Sequence, residues 1–256
     1  RFWINGKKLM KLTNDQIDRY RGQINLKKIN IQGQIKLKQQ KVLVIGAGGI
    51  GSPVILFLSR AGVLTFGLVD FDKISKSNLH RQVLFDNNDI GKKKILVTKK
   101  KIQLIDKKIN VKTYNKKVNK TNLKQIIKDY DYVIDGTDNF TSKLNINDEC
   151  VKQKKKLFIG SVSQFDAHVF FFDFSKGGPC LRCFMPKEPQ NTTRCQDDGI
   201  LGTVTGVAGT IISNELIKDA VGIPSNLKNE ALIINLENLM FRKIKIKESK
   251  NCKNYE

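Results

Sequence analysis

"KVLVIGAGGIGSPVILFLSRAG", Lys41 to Gly62, runs apolar, then rich in glycine, then apolar again. Val42 to Ile45 is a short, mostly β-branched run, which reads as a buried strand. Gly46, Gly48 and Gly51 then fit G-x-G-x-x-G. Pro53 suits the first turn of a helix, where a missing N–H costs nothing. Ile55, Leu56 and Leu58 carry that helix to Gly62, a stop signal. A strand, a glycine turn and a helix N-terminus together set bare N–H groups and a positive dipole end against an anion. Leu68 and Val69 make a second strand ending at Asp70, about 20 residues on, where a ribose hydroxyl would be held. By itself the motif leaves NAD and ATP both open.

The surrounding sequence extends the alternation. Residues 1–40 read as a helical N-terminal arm, with Thr13 or Asn14 as a cap. From residue 41 strands and helices alternate. Lys108–Val118 reads as a strand region, Leu123–Tyr130 as a helix and Asp131–Asn139 as a strand ending in a polar loop. A helix is expected over 141–156, and strands over Lys156–Phe174. A loop holding three cysteines and three prolines fills 175–200. A small-residue helix spans Gly199–Gly222, and two closing strands lie in Ala231–Ile246. This predicts an α/β fold, a Rossmann-like, mostly parallel sheet with helices on both faces. Residues 41–256 read as one domain after the arm.

Composition narrows the class. The chain of 256 residues carries a formal net charge of +22. Its basic residues are 38 Lys and 8 Arg, spread along the chain beside 22 Asn. That looks like a codon bias more than a nucleic-acid groove. In Gly91–Lys108 the lysines fall on the outer face of a helix, with Ile95, Ile102 and Ile105 inside. Aromatics are 8% of the chain, too few for a stacking platform. No nucleic-acid partner is expected. No apolar run approaches the length of a membrane span, and the N-terminus lacks the apolar core of a signal peptide. Five cysteines in such a chain point to reduced thiols, metal ligands or a nucleophile.

Four more segments fall at βα loops, where open α/β sheets bind ligands. "DFDKISKSNLHRQVLF" (Asp70–Phe85) supplies Asp72, Asn78, Arg81 and Gln82. "DIGKKK" (Asp89–Lys94) opens a helix near Lys94. "DGTDN" (Asp135–Asn139) brings Asp138 and Asn139, and "TTRCQDDG" (Thr192–Gly199) brings Cys195. These groups suit phosphate chemistry. Arg81 offers a fixed fork to phosphate oxygens and Lys94 a mobile point charge. Asp138 can hold Mg²⁺, a hard cation that takes one or two carboxylates beside phosphate oxygens. Taken singly, Arg81 could be a surface ion pair and Asp138 a helix cap.

Together the motifs resemble the MoeB/ThiF-type adenylyltransferases of the ubiquitin-activating-like superfamily, over nearly the whole chain. The resemblance implies an enzyme in which ATP adenylates the C-terminal glycine of a small ubiquitin-like sulfur carrier ending in Gly-Gly. The carrier would belong to the molybdopterin-synthase or thiamine pathway, and the adenylate is then sulfurated to a thiocarboxylate. It implies nucleotide contacts from Gly49, Asp70, Ser77, Asn78, Leu79, His80, Arg81, Lys94, Asp138 and Asn139, to which the glycine turn and the loop motif add Gly46, Gly48, Gly51, Asp72 and Gln82. Arg81, Lys94 and Asp138 would be catalytic, and Cys195 would link covalently to the carrier. A homodimer, a separate sulfurtransferase and a cytoplasmic or plastid-stromal location are implied as well.

Three departures stand out. "PCLRC" (Pro179–Cys183) gives half of a Cys₄ zinc site, but "NCKNYE" supplies only Cys252, with Tyr255 at the last ligand position. Cys180, Cys183 and Cys252 remain as zinc ligands. In "RYRGQ" Gly22 stands where the family has an arginine that reaches the partner's ATP, with Arg21 one step earlier. After "TDN" the family's arginine is Lys143 here. The competing reading from another class is a degenerate, non-catalytic member that binds the carrier as a scaffold.

Overall fold

The computed structural model describes residues 11–188 and 199–254 together with two short strands near the N-terminus. Those strands are β1 (Trp3–Ile4) and β2 (Lys7–Lys8), paired antiparallel. The arm is thus not helical from its start. Helices follow as α1 (Asn14–Arg19), α2 (Arg21–Ile24) and α3 (Asn30–Gln39). Thr13 is the cap of α1: its hydroxyl accepts from the Gln16 N–H while the Gln16 side chain returns to the Thr13 N–H.

The main body runs β3 (Lys41–Ile45), α4 (Gly51–Ala61), β4 (Thr65–Val69), α5 (Lys94–Ile105), β5 (Asn110–Tyr114), α6 (Lys120–Ile127), β6 (Tyr132–Asp135) and α7 (Phe140–Lys152). It closes with β7 (Lys156–Ser163), β8 (Asp166–Asp173), α8 (Leu181–Phe184), α9 (Gly202–Val221), β9 (Glu230–Asn235) and β10 (Met240–Lys245). The expected strand-rich stretch 156–174 is a hairpin, turned at Gln164 with φ of 48°.

One sheet of eight strands has the order β10-β9-β8-β7-β6-β3-β4-β5. The five strands from β7 to β5 are parallel, and β8, β9 and β10 extend the sheet antiparallel. Val42–Ile45 of β3 is an unbroken apolar run because both faces of the sheet are covered there. Val42 and Val44 of β3 pack into one core with α4 and α9, while Leu43 and Ile45 pack into the other with α6 and α7. From β3 the chain moves outward through β4 to β5, then returns to place β6 on the other side of β3. That reversal opens a crevice at the carboxyl ends of the strands, the general ligand position of such sheets.

Candidate nucleotide site and cysteine cluster

The crevice is a cavity of about 810 Å³ over the ends of β3, β4, β6 and β7. The glycine turn forms its base, and the glycines divide into two kinds. Gly46 has φ of 93°, and a Cβ there would stand 2.8 Å from the Gly136 carbonyl oxygen. A Cβ on Gly51 would stand 2.0 Å from the Gly46 carbonyl oxygen. These two let backbone pack on backbone, and Gly51 does not line the cavity. Gly48 and Gly49 do line it. A Cβ on Gly48 would meet nothing nearer than Gln82 Nε2 at 3.8 Å, so the absence of a side chain there serves close approach by a ligand.

Asp70 lies at the end of β4, 9% exposed. Its Oδ2 accepts from the Ala47 N–H at 2.8 Å and its Oδ1 from the Asp72 N–H at 2.8 Å, so it braces the glycine turn as well as facing the cavity. Burial pushes its carboxyl above the usual aspartate value, against the pull of Lys94 and the two N–H donors. Lys94 is the first residue of α5 and is buried, while Lys92 and Lys93 are exposed. Its ammonium donates to Asp72 Oδ2 at 2.9 Å. The half-exposed Asp72 carboxylate thus holds the buried Lys94 ammonium at the cavity wall.

Arg81 also lines the cavity. Its Nη1 donates to the Ser77 carbonyl at 2.9 Å and meets His80 Nε2 at 2.7 Å. Among the described residues no carboxylate pairs with it, which leaves its charge for a ligand. Ser77, Leu79 and His80 are not in the cavity wall: Ser77 and His80 hold the arginine, and Leu79 packs on the core. Asn78 is buried and its side chain caps the turn at Ser75. Gln82, 4% exposed, leaves its Oε1 without a partner among the described residues. An orphaned polar atom in a cavity wall suits a polar ligand.

Asn139, not Asp138, caps α7, with its Oδ1 accepting from the Ser142 N–H at 2.9 Å. Asp138 is exposed and, among the described residues, meets only the Asn139 amide, at 3.4 Å. Its oxygens fit the donor chemistry of Mg²⁺. Eleven of the fifteen expected nucleotide contacts thus converge on one cavity: Gly46, Gly48, Gly49, Asp70, Asp72, Asn78, Arg81, Gln82, Lys94, Asp138 and Asn139. The motifs had not singled out Lys116, Lys117 and Val118, which wall the cavity from the loop after β5. Their position after a parallel strand was the available signal. Cys195 lies outside the described residues.

Away from this cavity, the sulfurs of Cys180, Cys183 and Cys252 lie within 4.8 Å of one another. Cys180 and Cys252 are buried, with their sulfurs 3.6 Å apart. Tetrahedral zinc with Zn–S near 2.3 Å sets sulfurs about 3.8 Å apart, so the three thiols fit such an ion. Burial, the neighbouring thiols and Cys180 in particular push the Cys252 thiol up to about 12. Among the described residues no fourth ligand joins them, and Tyr255 lies outside. At the arm, Arg21 is exposed and bonded to Asp18 at 2.6 Å, while Gly22 has open space around it.

Residues 20–254 match the family described as ThiF family. The adenylyltransferase and sulfurtransferase MOCS3 of Aedes aegypti is 37% identical over 242 residues, covering 94% of this chain and 55% of that protein. The chain thus spans about half the length of that relative. The sulfur carrier protein adenylyltransferase of Thermus thermophilus is 35% identical over 249 residues, 95% of this chain and 92% of that protein. Among solved structures, a crystal structure of PaaA superposes with a TM-score of 0.80 at 20% identity, covering 97% of this chain and 79% of that one, which shows the shared fold.

Proposed function

The chain belongs to the ThiF family, and from that premise we propose that it uses ATP to adenylate the C-terminal glycine of a small ubiquitin-like sulfur carrier. The observation that carries this reading is the meeting in one crevice of the glycine turn, an Arg81 with no carboxylate partner among the described residues, the Lys94–Asp72 pair and an exposed Asp138. In the proposed reaction the carrier's carboxylate attacks the α-phosphorus and pyrophosphate leaves. Little bond chemistry falls to the protein, so holding the groups in line and neutralising charge carry the rate.

The turn N–H groups at Gly48 and Gly49 receive phosphate oxygens. Asp70 takes the ribose. Arg81 and Lys94 face the departing phosphates, and Lys94 leaves Asp72 to do so. Mg²⁺, when bound at Asp138, adds charge neutralisation at the phosphates. Cys195 acts after the adenylate, in the transfer of sulfur supplied by a separate sulfurtransferase. The cysteine cluster holds zinc. The setting is reducing, cytoplasm or plastid stroma, which thiolate ligands require.

The active unit is a homodimer in this reading. Between α4 and α5 lies a groove lined by Leu56, Val83, Leu84, Leu104 and Ile105 together with Arg19, Arg60 and Lys101.

Adenylate formation is reversible, so the chain with Mg-ATP and a Gly-Gly-ended carrier should exchange labelled pyrophosphate into ATP. Exchange that depends on the carrier supports the enzyme. Binding of a thiamine-type or molybdopterin-type carrier with no exchange from either would replace it with the scaffold reading.

A further inference from the structure

Asp135 and Lys143 make a charged pair at the floor of the crevice. Asp135 ends β6 and has no solvent exposure. Its Oδ1 accepts from the Thr137 N–H at 2.9 Å and from the Thr137 hydroxyl at 2.6 Å. Its Oδ2 accepts no hydrogen bond among the described residues and faces the Lys143 ammonium at 3.6 Å. Lys143 stands in the first turn of α7, 4% exposed, and donates to the Gly160 carbonyl of β7 at 2.7 Å. One ammonium therefore ties β6, β7 and α7 together beneath the cavity that it also lines.

Stability alone is a poor reason for such a pair. Desolvating two charges offsets their attraction, and apolar side chains of like volume often do as well. Its location offers a better one. Asp135 holds Thr137, and Thr137 leads directly into Asp138. Gly136, Thr137, Asp138 and Asn139 all line the cavity. Asp138 itself is exposed and, among the described residues, has a single long contact, to Asn139. Whatever orients that carboxylate must act through the turn.

We propose that Lys143 is a positioning residue for the metal-nucleotide: by fixing the Asp135 carboxylate it sets, through Thr137, the turn that presents Asp138. This rests on the reading of the crevice as a Mg-ATP site. Partners that orient a metal ligand carry about 10–100-fold in metal affinity. A lysine fills the role because its ammonium has three donors, of which Gly160 takes one.

The test is calorimetric ATP binding with Mg²⁺ varied, on wild type, K143M and K143R, with circular dichroism to establish folding. In K143M, affinity for ATP without Mg²⁺ should stay near wild type. The Mg²⁺ concentration that gives half of the Mg²⁺-dependent gain should rise about tenfold or more. K143R should restore it. K143Q keeps a donor for Gly160 and replaces K143M if the methionine variant does not fold; the same rise is expected. An unchanged Mg²⁺ dependence in a folded variant overturns the proposal. So does an equal loss with and without Mg²⁺, which would make Lys143 a direct phosphate contact or a purely structural residue. The readout is independent of catalysis. A wild-type chain that binds Mg-ATP but exchanges no pyrophosphate overturns the adenylyltransferase reading and leaves the Lys143 result standing, while one that binds no Mg-ATP overturns both.

Discussion

Gly48→Ala separates a phosphate cradle from a bare βα turn. Gly48 is not among the glycines of positive φ, so alanine adopts its backbone without strain. The new methyl would have Gln82 Nε2 at 3.8 Å as its nearest neighbour. The variant should therefore fold as wild type does and gain about 0.4–1 kcal/mol from a narrower unfolded ensemble. The same methyl stands where phosphate oxygens must approach the turn. Losing one hydrogen bond to a charged group costs about 1.5–3 kcal/mol, or roughly 10- to 150-fold in affinity. Gly51→Ala is the contrasting control. Its Cβ would sit 2.0 Å from the Gly46 carbonyl oxygen, a backbone atom that has no side-chain freedom to yield. The usual overpacking cost of about 1–3 kcal/mol is then a lower bound. Thermal melting with and without Mg-ATP reads both effects. At ATP near 100 times its Kd, binding adds about 2.7 kcal/mol. For a chain of this size that raises Tm by roughly 5–10 °C. Gly48→Ala should melt at or slightly above wild type without ATP, and roughly half to nine-tenths of the ATP shift should vanish. A full ATP shift in Gly48→Ala would refute the cradle. A melting point well below wild type would refute the open space assigned to that methyl.

Arg81→Ala, Lys94→Ala and Asp138→Ala should each lower pyrophosphate exchange by on the order of 10²–10³, the usual loss for one transition-state donor, with Tm little changed for Arg81 and Asp138. Exchange near wild type in any of them removes that residue from the mechanism. Asp148→Asn tests the acid limb of stability. Burial alone would raise the Asp148 carboxyl, but hydrogen bonds from Arg182 and Asn254 outweigh it and hold it below the usual value. Its stabilisation is therefore present above the unfolded value near pH 3.9 and lost as pH falls through the lower folded one. The variant should lose on the order of 3 kcal/mol at neutral pH and show a shallower acid decline; parallel Tm–pH curves would contradict this. Metal analysis of chelator-free protein should give about one zinc per chain, and a value near zero with every thiol reactive in the folded protein would sink the site. Gly22→Arg meets open space and should raise exchange several-fold in a confirmed dimer. No gain there would mean that Arg21 already serves or that the arm takes another path.

The parts of the fold legible in the sequence were local ones. The strand, glycine turn and helix of Lys41–Gly62 declare themselves because each is set by residues within a few positions. The division of labour inside that motif was not legible. Only tertiary distances show that Gly46 and Gly51 serve backbone packing while Gly48 faces open space. Lys94 has no claim within "KKK" until helix phase buries it and exposes its two predecessors. The choice between Asp138 and Asn139 as the cap of α7 turned on one hydrogen bond to Ser142. Residues 3–4 and 7–8 ran against expectation, since they form strands β1 and β2. Asp135, Lys143 and Gly160 come from three different elements, so no local pattern could assemble them.

The cysteine cluster is remote from the crevice but shares a helix with it. The N-terminus of α7 carries Asn139 and Lys143. One to two turns further on, Asn147 Oδ1 accepts from the Leu181 N–H at 2.9 Å. Asp148 takes both a 2.6 Å bond from Arg182 Nε and a 2.7 Å bond from Arg182 Nη2, and Asn254 adds a third at 2.9 Å. Leu181 and Arg182 lie between Cys180 and Cys183, and Asn254 follows Cys252 by two positions. The same short segments that supply the sulfurs therefore supply the clamps on α7. A metal joining the three sulfurs would lock two distant pieces of chain, 72 positions apart at Cys180 and Cys252, against that one helix. Closing so long a loop is where a cross-link removes most entropy from the unfolded chain. The effect on the crevice would then pass through the rigid axis of α7, as a fixed placement of Asn139 and Lys143, since none of the three cysteines lines the cavity.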